Sequence, residues 1–187
     1  MTDEQLMGAI REHDRAAFGQ LYDRYSGRLL LLLRRMMNND NEKAQDLLHD
    51  VFIRVLRSAG RFEHGKSFKT WIYTIAVNLC KNEYRRLSVR QNIGHGVNLE
   101  TIPQKDKSAE QKLDLAMFRH ALNIELDKLP AYLRSTFLLR FQSGMTIREI
   151  AEIMNCSQGT VKSRLFYLMQ NLAEILKSYN PYNIEAT

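Results

Sequence analysis

The sequence predicts an all-α protein composed of two small helical domains joined by a flexible linker. Apolar residues recur at helical spacing along nearly the whole chain, and no segment alternates apolar and polar residues as a strand would. A polar stretch that contains two glycines and a proline interrupts this pattern between residues 87 and 111. We therefore place the first domain at residues 1–86, the linker at residues 87–111 and the second domain at residues 112–187.

The composition favours a folded protein with a polyanionic partner. With 187 residues, of which 44% are hydrophobic, the chain is able to form real cores. Its net charge of +6 suits nucleic acid, because clustered Lys and Arg displace phosphate counterions, although an ordinary basic surface explains this charge equally well. Cys80 and Cys156 lie far apart and outside any C-x-x-C pair, so we expect reduced thiols, no metal site and no cofactor.

The sequence contains no predicted targeting or membrane segment. Its first residues carry acidic side chains and lack the apolar stretch of a signal peptide. The apolar run Leu29–Leu33 is far shorter than the roughly 20 residues of a membrane-spanning helix. We expect a cytoplasmic protein without membrane insertion.

The helices of the first domain are delimited by polar breaks. The run Asn38–Asn41 ends a long first helix and offers an N-cap for a second one. A loop spans residues 60–67, and Ser67 caps a third helix that runs to about Arg86. The residues predicted to face inward are Ala44, Leu47, Leu48, Val51, Phe52 and Val55 on the second helix and Phe68, Trp71, Ile72, Ile75, Ala76 and Leu79 on the third.

The predicted outward face of the third helix mixes aromatic and basic residues. Such a face suits single-stranded nucleic acid, since rings stack on bases while Lys and Arg follow the phosphates. An amphipathic helix covered by its neighbours explains the same spacing. The residues on this face are Thr70, Tyr73, Thr74, Val77, Asn78, Lys81, Tyr84 and Arg85.

The second helix presents an apolar residue among charges on its outer face. With Val51 inward, Ile53 lies outward with four polar or charged neighbours. This arrangement fits a protein interface, although single exposed apolar residues are also common on solvated surfaces. The neighbours are Asp46, His49, Asp50 and Arg57.

The second domain is predicted to contain a helix-turn-helix. One helix ends near Leu129, Pro130 opens the next as its first residue, and Gly144 stops it. Thr146 and Glu149 form a capping box for a short helix, and Ser157 caps the final helix. The inward residues are Ile147, Ile150, Ala151 and Met154 on the short helix and Val161, Leu165, Leu168, Leu172 and Ile175 on the final one.

The turn between these two helices meets specific steric requirements. Ala151 is small enough for close approach, Asn155 tolerates the left-handed turn conformation, and Val161 fills the space between the helices. The exposed start of the final helix then has the character of a DNA-recognition helix, although any compact helical hairpin shares this apolar spacing. Its outward residues are Gly159, Lys162, Ser163, Phe166 and Tyr167.

Three segments in this order carry a family resemblance. DLLHDVFIRVLR, SFKTWIYTIAVNLCKNEYRR and NCSQGTVKSRLF together closely resemble the conserved domains of extracytoplasmic-function sigma factors, subunits that direct bacterial RNA polymerase to promoters. The resemblance implies a region-two-like first domain that docks on core polymerase and melts DNA. It also implies a region-four-like second domain, a linker running through the polymerase channel, and a probable anti-sigma partner.

The resemblance also implies roles for individual residues. The loop from Phe62 to Ser67 would capture a flipped base. Residues Asp46, His49, Asp50 and Ile53 would bind the clamp helices of the largest polymerase subunit. Residues Thr70, Tyr73, Asn78, Lys81 and Arg85 would bind the melted minus-ten element. Residues Gly159, Thr160, Lys162, Ser163, Arg164, Phe166 and Tyr167 would read the duplex minus-thirty-five element.

Three positions depart from the common family pattern. His49 replaces a frequent glutamine, Asn82 a frequent aspartate and Asn155 a frequent glycine. Each substitute is polar or compatible with a turn, so the departures bear on promoter preference and on any contact through Asn82.

The function predicted from the sequence is promoter-specific transcription initiation as a sigma factor. The alternative is a conventional helix-turn-helix regulator that binds duplex DNA without polymerase, and a helical adaptor that dispenses with DNA is a third class. No nucleotide-binding glycine loop, zinc-protease helix or nucleophile elbow is present in the sequence, so an enzyme is not predicted.

Overall fold

The computed structural model describes residues 1–62, 65, 67–91 and 111–177. Within these ranges the chain forms eight α-helices and no β-strand, which confirms the all-α prediction. The helices are α1 (Asp3–Arg11), α2 (Arg15–Met36), α3 (Asn41–Ser58), α4 (Phe68–Gln91), α5 (Gln111–Lys128), α6 (Ala131–Phe137), α7 (Ile147–Met154) and α8 (Gln158–Ile175).

The predicted break between α2 and α3 is present. Asn38 and Asn39 adopt left-handed conformations with φ of 53° and 64°, which Asn tolerates better than most residues. The Asp40 side chain then accepts a hydrogen bond of 2.9 Å from the Lys43 amide and caps α3. This turn reverses the chain, so α3 packs back against α2.

The first domain is built from α1 to α4 around one apolar core. All six predicted inward residues of α3 are buried, which confirms its orientation. The ring of Phe68, at the start of α4, packs edge-on against Tyr25 of α2 at a centroid distance of 5.2 Å. Ser67 caps α4 as predicted, since its hydroxyl accepts a hydrogen bond of 3.3 Å from the Thr70 amide.

The second domain contains α5 to α8. Pro130, predicted to be the first helical residue, occupies the N-cap of α6, and the helix begins one residue later at Ala131. After Phe137 the helix widens into a π-helical turn at Leu138–Gln142, which the sequence analysis did not predict. Gly144, with a φ of +65°, ends this segment as expected.

The two domains pack directly against each other. Helices α6 and α7 contact α4, and α6 also contacts α2. Leu139, Met145, Ile150 and Ile153 of the second domain are buried in the same apolar cluster as the core of the first. The predicted linker falls largely at residues 92–110, outside the described residues, and the same holds for residues 63, 64 and 66 of the predicted base-capture loop.

Candidate nucleic-acid and protein interfaces

Helices α7 and α8 form the predicted helix-turn-helix. The Thr146 hydroxyl accepts from the Glu149 amide at 3.2 Å, and the Glu149 carboxylate accepts from the Thr146 amide at 2.7 Å, which completes the capping box. Asn155 ends α7 in the left-handed conformation with a φ of 51°. Ser157 caps α8 through a bond of 3.0 Å from the Thr160 amide. Val161 is fully buried between the helices, as predicted.

The start of α8 projects into solvent. Gly159, Lys162 and Ser163 are exposed. The rings of Phe166 and Tyr167, 59% and 69% exposed, lie edge to face with centroids 5.4 Å apart. An exposed basic and aromatic helix tip of this kind is able to enter a DNA major groove.

The two other predicted members of this surface, Thr160 and Arg164, are only half-buried. The Thr160 hydroxyl lies 2.9 Å from that of Ser157. The Arg164 guanidinium stacks on the ring of Tyr132, 4.9 Å from its centroid, and so lies along the surface of the domain. Sequence reasoning missed Tyr132, because it belongs to α6, far from α8 in the chain.

The outer face of α3 has the predicted charges. Asp46, His49 and Asp50 are exposed, whereas Ile53 is half-buried rather than fully exposed. Ile53 therefore keeps part of its apolar surface for a contact, with acidic groups one and two turns away.

The residues predicted to form the outer face of α4 differ in their solvent exposure. Asn78 and Arg85 are exposed and Lys81 is half-buried, in agreement with the prediction. Thr70 and Tyr73 are each 2% exposed, so the prediction that they face solvent is wrong. At Tyr73 the second domain is involved, since the Tyr73 side chain interacts with Ser143, and burial raises the pKa of Tyr73.

Two further differences from the prediction occur along α4. Val77, predicted to face outward, is completely buried, whereas Trp71 and Ile75, predicted to face inward, are half-buried. Helix α4 is packed on more than one side, so a single inward stripe does not describe it.

An ion pair joins α4 to α7, and an open polar cleft lies further along the two helices. The Lys69 ammonium lies 3.0 Å from the Glu149 carboxylate. Burial works against ionisation of Glu149, but hydrogen bonds from the Thr146 backbone, Lys69 and the Thr146 side chain more than offset it and lower its pKa. Further along, an open cleft of about 750 Å³ separates the helices. Its lining includes Asn78, Lys81 and Arg85 of α4 and Glu152 and Asn155 of α7.

Arg134 of α6 is a buried residue that sequence reasoning missed. Its guanidinium Nε donates to the Leu126 carbonyl at 2.9 Å within the second domain. Nη1 crosses to the first domain, where it donates to the Asn38 side chain and to the Tyr84 hydroxyl, the latter at 3.3 Å. Tyr84 also donates to the Met36 carbonyl, and burial raises the pKa of Tyr84 to about 12.

Two other classes of site find no support among the described residues. No cluster of three His, Cys, Asp or Glu side chains in residues 1–62, 65, 67–91 and 111–177 is arranged to hold a metal ion. Within the same ranges, no helix combines the length and apolar character that crossing a membrane requires.

Both halves of the chain match sigma-factor family models. The model for Sigma-70 region 2 matches residues 21–90, and the model for Sigma-70 region 4 matches residues 124–171. The second match contains the helix-turn-helix, and the first contains the α3 and α4 faces.

Curated relatives are similar over almost the whole chain. The ECF RNA polymerase sigma-E factor of Haemophilus influenzae is 30% identical, over 89% of this chain and 90% of the relative. The ECF RNA polymerase sigma factor SigM of Mycobacterium tuberculosis is 30% identical, over 96% of this chain and 87% of the relative. The RNA polymerase sigma-H factor of Pseudomonas aeruginosa is 28% identical, over 94% of each chain.

Solved structures show the same fold. The sigma factor RpoE of Bartonella quintana, in complex with the anti-sigma factor NepR, superposes with a TM-score of 0.69 at 28% identity, covering 86% of this chain and 96% of RpoE. CnrH, in complex with the cytosolic domain of CnrY, gives a TM-score of 0.68 at 21% identity, covering 94% of this chain and 97% of CnrH.

Proposed function

Because the chain belongs to the extracytoplasmic-function sigma factors of the sigma-70 family, we propose that its two domains recognise two separate promoter elements. The chain is an RNA polymerase sigma factor, and a conventional duplex-binding regulator is not favoured, since it would not carry a region-two domain. The boundaries of the two functional units are proposed at residues 1–86 and 112–187, with residues 87–111 between them.

The tip of α8 is the proposed reader of the minus-thirty-five duplex. The observation that carries this assignment is the exposure of Lys162, Ser163 and Phe166 at the start of the second helix of a helix-turn-helix. Lys donates to guanine and phosphate oxygens, and an aromatic edge packs on a thymine methyl. Gly159, Thr160 and Tyr167 flank this tip, and Arg164 supports it through Tyr132.

The face of α4 that we call the melting face is the proposed site for unpaired minus-ten DNA. It consists of Thr70, Tyr73, Asn78, Lys81 and Arg85. Asn78, Lys81 and Arg85 have accessible polar or cationic groups that suit a phosphate backbone. Tyr73 is a stacking ring that joins this surface only when the second domain moves away. Preferential binding of unpaired bases would stabilise the open promoter over the closed one.

The outer face of α3 is the proposed contact with core polymerase. It combines the exposed Asp46, His49 and Asp50 with the partly accessible Ile53. An apolar centre within a polar rim is the usual anatomy of a protein interface.

The remaining assignments follow from this role. We propose that the chain acts in the cytoplasm, beside polymerase, as a binding subunit that catalyses no reaction itself. RpoE of Bartonella quintana is seen with the anti-sigma factor NepR, and this similarity supports an anti-sigma partner for the present chain.

Run-off transcription with purified core polymerase tests the proposed function. The template is DNA from upstream of the protein's own operon, and we expect a discrete transcript that depends on the chain. Lys162→Glu places a negative charge at the tip of α8 and should reduce that transcript by at least about tenfold, as expected for loss of a specific base contact.

Lys128→Glu is the matched control. It reverses the same charge within the second domain but breaks only an ion pair of 2.7 Å with Glu125 on α5. Unaltered transcription with Lys162→Glu would contradict the recognition-helix assignment. Tight, specific binding to the operator by the chain alone, without a transcript, would support the duplex-binding regulator instead.

A further inference from the structure

The second domain covers the middle of the melting face. Helix α7 packs along α4, and Tyr73, the aromatic member of that face, is 2% exposed and interacts with Ser143 of the second domain. A DNA strand that followed α4 from Thr70 towards Arg85 would therefore meet α7. Binding of unpaired DNA across this face requires the two domains to separate.

Several polar contacts hold the domains in this arrangement, among them those of Arg134 and Lys69. The buried guanidinium of Arg134 donates across the boundary to Asn38 and Tyr84. Another contact is the ion pair of 3.0 Å between Lys69 and Glu149. Hydrogen bonds to a buried charged group are worth more than neutral ones, since the charge has no water to replace a lost partner.

The covering helix is also complementary in charge to the surface that it covers. Glu149 and Glu152 lie one turn apart on α7 and therefore share a face of that helix. Glu149 pairs with Lys69, and Glu152 lines the cleft that contains Lys81 and Arg85. These carboxylates present negative charge to α4, as a phosphate backbone would.

The other two proposed surfaces remain open in the same arrangement. Asp46, His49 and Asp50 of α3 are exposed, and so are Lys162 and Phe166 of α8. The contact between the domains thus blocks one surface and leaves the polymerase-docking face and the recognition helix accessible.

We propose that the free chain closes on itself through α7, which occupies the place of the unpaired promoter strand on α4, so that the protein inhibits its own binding of melted DNA. This inference rests on the proposed assignment of α4 to unpaired DNA. Closure needs no partner protein, and it leaves the chain able to dock on polymerase before it opens.

A zero-length carbodiimide cross-link tests closure without DNA or polymerase. In the closed chain the reagent should join Lys69 to Glu149, detected by mass spectrometry of the linked peptides. The pair Lys128–Glu125, at 2.7 Å within α5, is an internal control for reactivity. Absence of the Lys69–Glu149 product while the control product forms would overturn the closed state.

Binding of a fluorescent single-stranded oligonucleotide, taken from the non-template strand upstream of the protein's own operon, tests inhibition. Asn38→Gly keeps the left-handed backbone but removes the side-chain acceptor of Arg134. Loss of one charge-assisted hydrogen bond should shift the closed-to-open ratio, and with it the apparent affinity, by about tenfold towards tighter binding.

Asn39→Gly is the matched control, because Asn39 has a similar φ of 64° and its side chain accepts a long hydrogen bond of 3.5 Å from Arg35 of the same domain. Equal affinities for wild type, Asn38→Gly and Asn39→Gly, or full oligonucleotide binding by the cross-linked chain, would overturn the inhibition. Failure of every variant to bind the oligonucleotide would instead contradict the proposed role of α4, and the cross-link yield would still decide whether the chain closes.

Discussion

The guanidinium of Arg134 lies 3.3 Å from the hydroxyl of Tyr84 and so joins α6 of one domain to α4 of the other. Arg134 also donates to the carbonyls of Leu126 and Asp127, at the end of α5, where α5 turns into α6. Its side chain is 5% exposed. One cation thus satisfies backbone groups of its own domain and side chains of the other.

Arg134→Met should therefore destabilise the protein strongly. The substitution keeps much of the apolar length of the side chain but removes the guanidinium donor from the Leu126 and Asp127 carbonyls and from the Asn38 side chain. We expect a loss of about 3 kcal/mol in the free energy of unfolding, measured by urea denaturation. Arg148→Met, at an exposed position of α7, is the control and should change stability by less than about 0.5 kcal/mol. Equal effects of the two variants would refute the structural role of Arg134.

Asn155 determines the turn of the helix-turn-helix through its backbone. Residue 155 has a φ of 51°, in the left-handed region, where a side chain without a compensating polar group is strained. Asn155→Ala should therefore lower the free energy of unfolding by about 1 kcal/mol. Asn155→Gly should be neutral or slightly stabilising, since glycine adopts this conformation freely. Thermal unfolding of the two variants compares them directly. A larger loss for Gly than for Ala would show that the Asn155 side chain, rather than its backbone conformation, matters.

Local signals in the sequence predicted local structure well. The stripe of α3, the Ser67 and Ser157 caps, the Thr146–Glu149 capping box and the left-handed Asn155 are all as predicted. Each depends on residues a few positions apart, so periodicity and hydrogen-bonding chemistry are sufficient to identify it.

Features that depend on contacts between the domains were not predictable in this way. Tyr73 is buried by a segment about 70 residues later in the chain, which helical periodicity in α4 cannot detect. Arginine is usually exposed, and the carbonyl and side-chain acceptors gathered around Arg134 make its burial favourable. The solvent exposure predicted for α4 was therefore wrong at Thr70 and Tyr73.

The two cysteines should differ sharply in reactivity. Cys80 is completely buried in α4, and burial raises the pKa of its thiol to about 12, so almost no thiolate forms near neutral pH. Cys156 is partly exposed in the turn before α8. Iodoacetamide at about pH 8 should therefore alkylate Cys156 first, and Cys80 only when urea unfolds the chain. Mass spectrometry of the modified peptides measures both rates, and comparable labelling of the two in the native protein would contradict the packing of α4.

The ion pair between Lys69 and Glu149 should give stability a defined dependence on pH. The pKa of Glu149 in the folded protein lies below its ordinary value of 4.5. As the pH falls, Glu149 therefore takes up a proton in the unfolded state before it does so in the folded state. The contribution of its carboxylate to the free energy of unfolding is complete above pH 4.5 and is lost as the pH falls through the lowered pKa of the folded protein.

Glu149→Gln removes this titrating group while its side-chain amide is still able to accept the capping hydrogen bond from Thr146. The stability difference between wild type and Glu149→Gln, from urea unfolding at several pH values, should be constant near neutral pH and shrink under acid conditions. In a Lys69→Met background the same difference should be smaller, because Lys69 is one of the donors that lower the pKa of Glu149. An unchanged pH dependence in that background would show that Lys69 does not interact with Glu149 in solution, and hence that this ion pair does not join α4 to α7.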